Sequence, residues 1–215
     1  MIRPGYSCQL RVTSNCPPLG DLVLSCCENV YEPAEDTWLA LDILEKTLVS
    51  NGYSIVLDVG CGTGVLGVYT AAKTKTYTVL IDVNPCATYC AKTNTERLGL
   101  SAYVDIVQCD NATCIRRLGT RTLAVYNTPY LPVEEYDELL GLAWSGGLRE
   151  AQRIVDIAGE WASCIILVYS SLSGDDRELV GKLRDRGFGV ERYKIHFFFE
   201  DIVGVRACRV LARQG

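Results

Sequence analysis

The 215-residue chain contains one histidine and one methionine. That histidine, His196, stands beside Phe197, Phe198 and Phe199 in an apolar run. A packed side chain is expected there, so a histidine-centred mechanism is not sought. No apolar stretch approaches the roughly 20 residues that a helix needs to cross a bilayer. The opening residues, MIRPGYSCQLRVTSNCPP, lack the continuous apolar centre of a signal peptide. A soluble, cytoplasmic protein without a membrane partner is the expectation. Basic residues are also short: 21 Lys and Arg stand against 26 Asp and Glu, a net charge of −5. Proteins that draw affinity from a phosphate backbone are usually basic. Nucleic acid is therefore not the expected direct substrate. Repeats and low-complexity tracts are missing, which sets aside solenoids and linkers.

Cysteine is abundant, with 11 residues. They do not form two close CxxC pairs, so neither a zinc ribbon nor any other metal site is predicted. Most are expected to be small buried hydrophobes. One or two structural disulfides are the alternative, as occurs inside hyperthermophile cells. Cys26 and Cys27 are adjacent. Cys86 and Cys90, four apart on a predicted helix, would share a face. Cys109 and Cys114 flank a predicted loop.

A hydrophobic fraction of 48% and a charged fraction of 22% are ordinary globular values, and 215 residues suit one domain. From Ser54 onward, strand-like runs rich in β-branched residues recur: 55–57, 77–81, 103–107, 123–126 and 164–169. Segments of helical periodicity, 66–73 and 87–98, lie between the first of them. This is the βαβ signature of a parallel sheet covered on both faces. Residues 173–186 read as a helix burying Leu179, Val180 and Leu183. Two last strands, 190–199 and 202–211, are predicted to form an antiparallel hairpin turning at Glu200-Asp201. Before Ser54, Leu22-Val23-Leu24 reads as a short strand. A helix over 34–48 follows Pro33, with Glu35 and Asp36 in its first turn and Leu39, Ile43 and Leu44 on one side.

The densest local signal is Leu57-Asp58-Val59-Gly60-Cys61-Gly62-Thr63-Gly64, between a predicted strand and a predicted helix. Glycines there let the chain turn sharply and let a ligand approach the backbone. The order is DxGxGxG, and Asp58 ahead of the glycines suits a cationic amino-acid ligand better than a pyrophosphate. S-adenosylmethionine carries an ammonium and a sulfonium and no phosphate. Asp82 ends the next strand, about 20 residues beyond the glycines, where an acid can accept ribose hydroxyls. Asp110 and Asn111 follow the third strand, where a side chain and a backbone N–H can meet an adenine edge. Each acid alone could be a helix cap or a turn residue. Three at successive strand ends beside a glycine loop point to a cofactor site for S-adenosylmethionine.

The fourth strand of this series ends in Asn127-Thr128-Pro129-Tyr130. This resembles the Asn-Pro-Pro-Tyr motif of methyltransferases acting on planar, conjugated nitrogens. An amide nitrogen is a poor nucleophile, and two acceptors fixed on its N–H groups can orient it. The Asn127 side-chain oxygen and the Thr128 carbonyl can be those acceptors, and Tyr130 can stack on the flat group. Thr128 replaces the usual first proline, which is expected to weaken rigidity rather than chemistry. Pro129 still biases Thr128 toward an extended backbone.

Residues 30–39, Val-Tyr-Glu-Pro-Ala-Glu-Asp-Thr-Trp-Leu, closely resemble a segment of HemK-related class I release factor glutamine methyltransferases of the short eukaryotic and archaeal branch. The resemblance continues through the glycine loop, Asp82, Asp110, the Asn127 motif and residues 143–147. It implies a Rossmann-like α/β fold of class I methyltransferases, mostly parallel with a C-terminal antiparallel hairpin. Residues 1–215 would be a single methyltransferase domain: an N-terminal extension and helix over 1–50 packed on the cofactor site, then a core over 51–215. It implies that Thr37, Asp58, Gly60, Gly62, Asp82, Asp110, Asn111 and Asn127 contact the cofactor. Asn127, Thr128, Pro129 and Tyr130 would hold a glutamine amide in the Gly-Gly-Gln motif of a class I release factor. It also implies a heterodimer with a small zinc-binding activator subunit. In the expected strand order the third strand lies at the sheet edge, which that subunit would cover. Methylation of adenine, guanine or protein lysine, or a non-catalytic cofactor-binding scaffold, are the alternatives at this point.

Overall fold

The β-branched runs become strands of one twisted sheet in the computed structural model, which describes residues 8, 11–50, 52–119, 121–129 and 146–209. Strands β1 (Val12–Asn15) and β2 (Ser25–Cys27) form a separate antiparallel pair. Helix α1 spans Glu35–Ser50. The central elements then alternate: β3 (Ile55–Val59), α2 (Val65–Thr74), β4 (Tyr77–Asp82), α3 (Pro85–Arg97), β5 (Val104–Gln108) and β6 (Thr122–Asn127). Helix α4 (Gly147–Ala158), β7 (Cys164–Ser170), α5 (Arg177–Asp185), β8 (Phe188–Phe197) and β9 (Glu200–Arg209) complete the order.

The seven strands run β5-β4-β3-β6-β7-β9-β8. Pairs among β3 to β7 are parallel, and β9 is antiparallel to both β7 and β8. The chain steps outward from β3 to β5 and then returns to place β6 on the other side of β3. That reversal opens a crevice at the carboxyl ends of β3 and β6, where open α/β sheets bind ligands.

Strand alternation divides the core into two apolar layers. Val56, Leu80, Val125, Ile166 and Val168 pack under α1, α2 and α3, with Ile43, Leu44 and Val68 from the helices. Leu57, Ile81, Ala124, Ile165 and Leu167 face the opposite way, toward Ile154 and Val155 of α4 and Leu179 and Leu183 of α5. Every residue of β7 is buried, as expected for a central strand covered on both faces. Asn84 caps α3, accepting from the Cys86 N–H at 2.9 Å, and Pro85 fills the first helical position.

Several expectations change. The short strand begins at Ser25, not Leu22. Leu22 instead closes a tight turn on Leu19, with mutual backbone bonds of 3.0 Å around Gly20. The last helix starts later, at Arg177, because Ser171–Ser173 form a 3₁₀ turn and Gly174 at φ 119° breaks the run. The C-terminal hairpin turns at Phe198-Phe199, since Phe197 pairs with Glu200 and Phe198 takes φ 53°. Glu200 and Asp201 lie in the strand. Asp201 is a cross-strand partner, 3.0 Å from His196 Nδ1 and 2.6 Å from Lys194 Nζ. His196 is thus a surface residue with its side chain 74% exposed, not a packed one.

The cysteines depart furthest. Ten of them pair: Cys8–Cys86, Cys16–Cys26, Cys27–Cys90, Cys109–Cys114 and Cys164–Cys208, leaving Cys61 as a buried thiol. Cys86 and Cys90 do share a face of α3, and that face is clipped to the N-terminal segment. Asn94 adds to the clip, bonding the Ser25 N–H, the Ser25 carbonyl and the Thr63 carbonyl at 2.8 to 3.0 Å. Side-chain chemistry alone does not tell a buried thiol from half a cystine. Among the described residues no helix is long and apolar enough to cross a membrane.

Candidate active site

The glycine loop joins β3 to α2 and forms one wall of the cleft. Gly60 has φ 62°, and a Cβ there would meet the Tyr126 ring at 2.7 Å, so only glycine fits. Asp58 accepts from the Gly67 N–H at 2.8 Å, which holds the start of α2 to the strand. Asp82 at the end of β4 reaches back to the same loop. One of its oxygens accepts from the Gly62 N–H at 2.9 Å and the other from the Asn84 N–H at 2.9 Å. A carboxylate oxygen has two lone pairs, so each keeps capacity for a ligand.

Both acids are almost wholly buried. Burial disfavours their charged forms and outweighs the backbone bonds that favour them. The Asp58 carboxyl is pushed up to about 7, with the Asp82 charge adding to burial, and Asp82 to about 6. Two carboxyls so placed, facing one cleft, suit a cationic ligand whose charge would restore their ionised state.

The loop after β5 carries Asp110 and Asn111 to the cleft. The Asp110 carboxylate is held by the Arg153 guanidinium of α4 at 3.0 and 2.8 Å, which keeps its carboxyl below the usual range. Arg153 also pairs with buried Glu150 at 2.8 Å, and Glu150 receives the Asn111 amide at 3.3 Å. The Asn111 side chain, whose Oδ1 also accepts from the Ala112 N–H at 2.9 Å, and part of the Asp110 carboxylate are therefore already engaged within the protein. Sequence reasoning missed Glu150 and Arg153. Their signal was only an i, i+3 charged pair on a helix, which usually lies on a solvated face.

Asn127 ends β6 opposite the glycine loop. Its Nδ2 donates to Asp36 Oδ2 at 3.0 Å and lies 3.4 Å from Thr37 Oγ1, both at the start of α1. Among the described residues its Oδ1 is the one buried side-chain oxygen or nitrogen without a hydrogen-bond partner. An orphaned acceptor in a cleft wall costs free energy unless a ligand donates to it. Thr128 corrects an expectation. Its N–H and hydroxyl both donate to the Val168 carbonyl, at 2.9 and 2.8 Å, so the motif stays pinned to β7 without the usual proline. Pro129 is held too, its carbonyl accepting from Gly147 N–H at 2.7 Å. Tyr130 and residues 143–145 lie outside the described residues.

Thr37, Asp58, Gly60, Gly62, Asp82, Asp110, Asn111, Asn127, Thr128 and Pro129 all line this one cleft. Asp36 and Tyr31 line it as well and were not singled out from sequence as site residues. The signal for Asp36 was its place next to Thr37 in the 30–39 segment, where it reads as an acid at a helix start.

Comparison with known proteins bears on this cleft. The chain is 31% identical over 195 residues to a Methanocaldococcus jannaschii protein named as a protein N5-glutamine methyltransferase, covering 84% of this chain and 92% of that one. The chain belongs to the HemK-related methyltransferase family. Residues 36–132 match the family model of the methyltransferase small domain. The Methyltransferase HEMK2 of Mus musculus is 32% identical over 134 residues, covering 60% of this chain and 62% of that protein. Among solved structures, the Mtq2-Trm112 complex of E. cuniculi, described as methylating the eRF1 translation termination factor, superposes with a TM-score of 0.59. Its sequence identity is 22%, and the match covers 85% of this chain and 99% of that one. The fold is that of the Rossmann-like class I methyltransferases.

Proposed function

We propose that this chain transfers a methyl group from S-adenosylmethionine to the side-chain amide nitrogen of a protein glutamine, in the Gly-Gly-Gln motif of a class I translation termination factor. The observation that carries this reading is the Asn127 oxygen, buried and without a partner in the wall of a cleft lined by two buried acids. S-adenosylmethionine fits that cleft, because its ammonium and sulfonium suit the two acids and its hydroxyls suit Asp82. It supplies an electrophilic methyl group on a sulfonium.

The chain's own residues do the rest. Asp58 and Asp82 give the cleft its affinity for a cation and a diol; the Gly67 N–H of α2 holds the Asp58 carboxylate in place and the Gly62 N–H of the glycine loop holds that of Asp82. Asn127 Oδ1 accepts one amide N–H of the glutamine, and the Thr128 carbonyl accepts the other. Both acceptors increase electron density on nitrogen, and both sit on backbone pinned to β7 and α4, so little reorganisation is needed. Tyr130 is proposed to stack on the amide plane.

A class I release factor is then the protein substrate. We place a small activator subunit, zinc-binding as the family resemblance implies, along β5, the edge strand whose outer side faces away from β4. A translational substrate puts the chain in the cytoplasm. Five disulfides there fit the disulfide-rich interior of hyperthermophile cells.

The deciding experiment offers purified class I release factor and isotope-labelled cofactor, then maps the modified residue by mass spectrometry. A methyl group on the Gly-Gly-Gln glutamine is expected. Label on lysine, on a nucleobase in a parallel reaction, or nowhere would overturn the substrate assignment.

A further inference from the structure

We propose that Asp36 is a positioning residue that fixes the Asn127 amide with its oxygen toward the substrate; this rests on the reaction proposed above. The two ends of an asparagine amide have nearly the same shape and differ only in what they bond. Something must therefore decide which end faces the cleft. Asp36, 3% exposed, decides it because a carboxylate only accepts. Its Oδ2 takes the Asn127 Nδ2 hydrogen at 3.0 Å. Turning the amide over would set two acceptors face to face in a buried site.

The carboxylate is itself held. The Tyr31 hydroxyl lies 3.1 Å from both of its oxygens, and the Thr37 N–H donates to Oδ1 at 2.6 Å. With Nδ2 spent on Asp36, Oδ1 is left without a partner. An asparagine showing its oxygen selects an acceptor group that still carries N–H. One showing its nitrogen would repel it. Asp36 thus contributes to specificity through Asn127 rather than by touching the substrate.

Two measurements test this. In the cofactor-free protein, ¹⁵N NMR of the Asn127 side-chain amide, assigned by its loss in Asn127→Ala, should show slow exchange with solvent. In Asp36→Asn the resonance should move and exchange faster. An unmoved resonance would overturn the proposal. In turnover assays Asp36→Asn, where both amide orientations are allowed, should lose about tenfold to a hundredfold. Asn127→Asp alone sets two carboxylates against each other. Adding Asp36→Asn restores one donor facing one acceptor and leaves an acceptor toward the cleft. The pair should recover at least about tenfold over Asn127→Asp, the scale of one polar contact to a charged group. No recovery would reduce Asp36 to a structural role and sink the idea. Should the wild-type chain methylate no glutamine, the reaction proposed above falls, and the amide resonance alone judges the positioning role.

Discussion

Replacing Cys27 and Cys90 together by alanine removes the clip that holds the Val30-Tyr31 wall of the cleft to α3. The loop it closes is 63 residues, and chain entropy assigns such a cross-link about 4 kcal/mol. Cys8–Cys86 closes 78 residues by sequence separation. With Cys27–Cys90 in place, however, the remaining circuit is only about 20 residues, and its added effect is about 3 kcal/mol. The two bonds are therefore not additive, and the second matters more once the first is gone. A stability of about 5 to 15 kcal/mol is typical of a domain, so losing one clip is a large fraction. With Cys8–Cys86 still in place the double variant loses only about 3 kcal/mol, so the guanidinium midpoint should fall by about 0.6 M, taking roughly 5 kcal/mol/M for the slope. The assay is circular dichroism of wild type, oxidised and fully reduced, beside the double variant, with cofactor calorimetry on each. Weaker cofactor binding should accompany the loss, because Val30 and Tyr31 hang on Cys27. Thiol titration of the unfolded, unreduced chain should find one thiol, Cys61. Coincident unfolding curves for oxidised and reduced protein would mean that the disulfides add no stability.

Other expectations concern charge, the motif and the partner. Both Asp58, at about 7, and Asp82, at about 6, titrate above the ordinary 3.8, so the folded cofactor-free chain binds more protons than the unfolded one between those values. Their burial penalty is fully present above pH 7 and is relieved as pH falls toward 4, so these two groups stabilise the cofactor-free fold on acidification. Cofactor affinity should move the other way, falling below pH 7 by up to roughly tenfold per pH unit for each proton released. Calorimetry in buffers of different ionisation enthalpy checks this, and an affinity flat from pH 8 to 5 would contradict it. Asn127→Ala should lose about a hundredfold or more in turnover with melting nearly unchanged; near-normal rates would remove it from the reaction. Co-expression with the activator should give a one-to-one heterodimer by light scattering and raise activity. A monomer that is fully active alone would show that β5 needs no cover, its Asp105 carboxylate and the Tyr77 hydroxyl sufficing at the edge.

Periodicity and spacing carried most of the fold. A strand covered on both faces is apolar at nearly every position, so residues 164–169 and the runs before them could be read as a buried sheet without knowing what they touch. The glycine loop, Asp82 and Asn127 were legible for a related reason: βα units put successive strand ends on one edge, so residues far apart in sequence converge by topology alone. Tertiary contacts settled what spacing leaves open. Asp36 reads as a helix-start acid until α1 is laid across β6 and its carboxylate meets an asparagine 91 positions away. Glu150 and Arg153 read as a surface pair until α4 swings them against Asp110. Disulfide partners depend on which Cβ vectors converge, and a chain with 11 cysteines carries no local record of that. His196 and the phenylalanines after it look like core by composition. Phe197 at the end of β8 packs partly against the core, but Phe198 and Phe199 form the hairpin tip and are 77% and 83% exposed. Burial belongs to the packed arrangement of elements, and hydrophobicity along the chain reports it only where a neighbour is present to exclude the water.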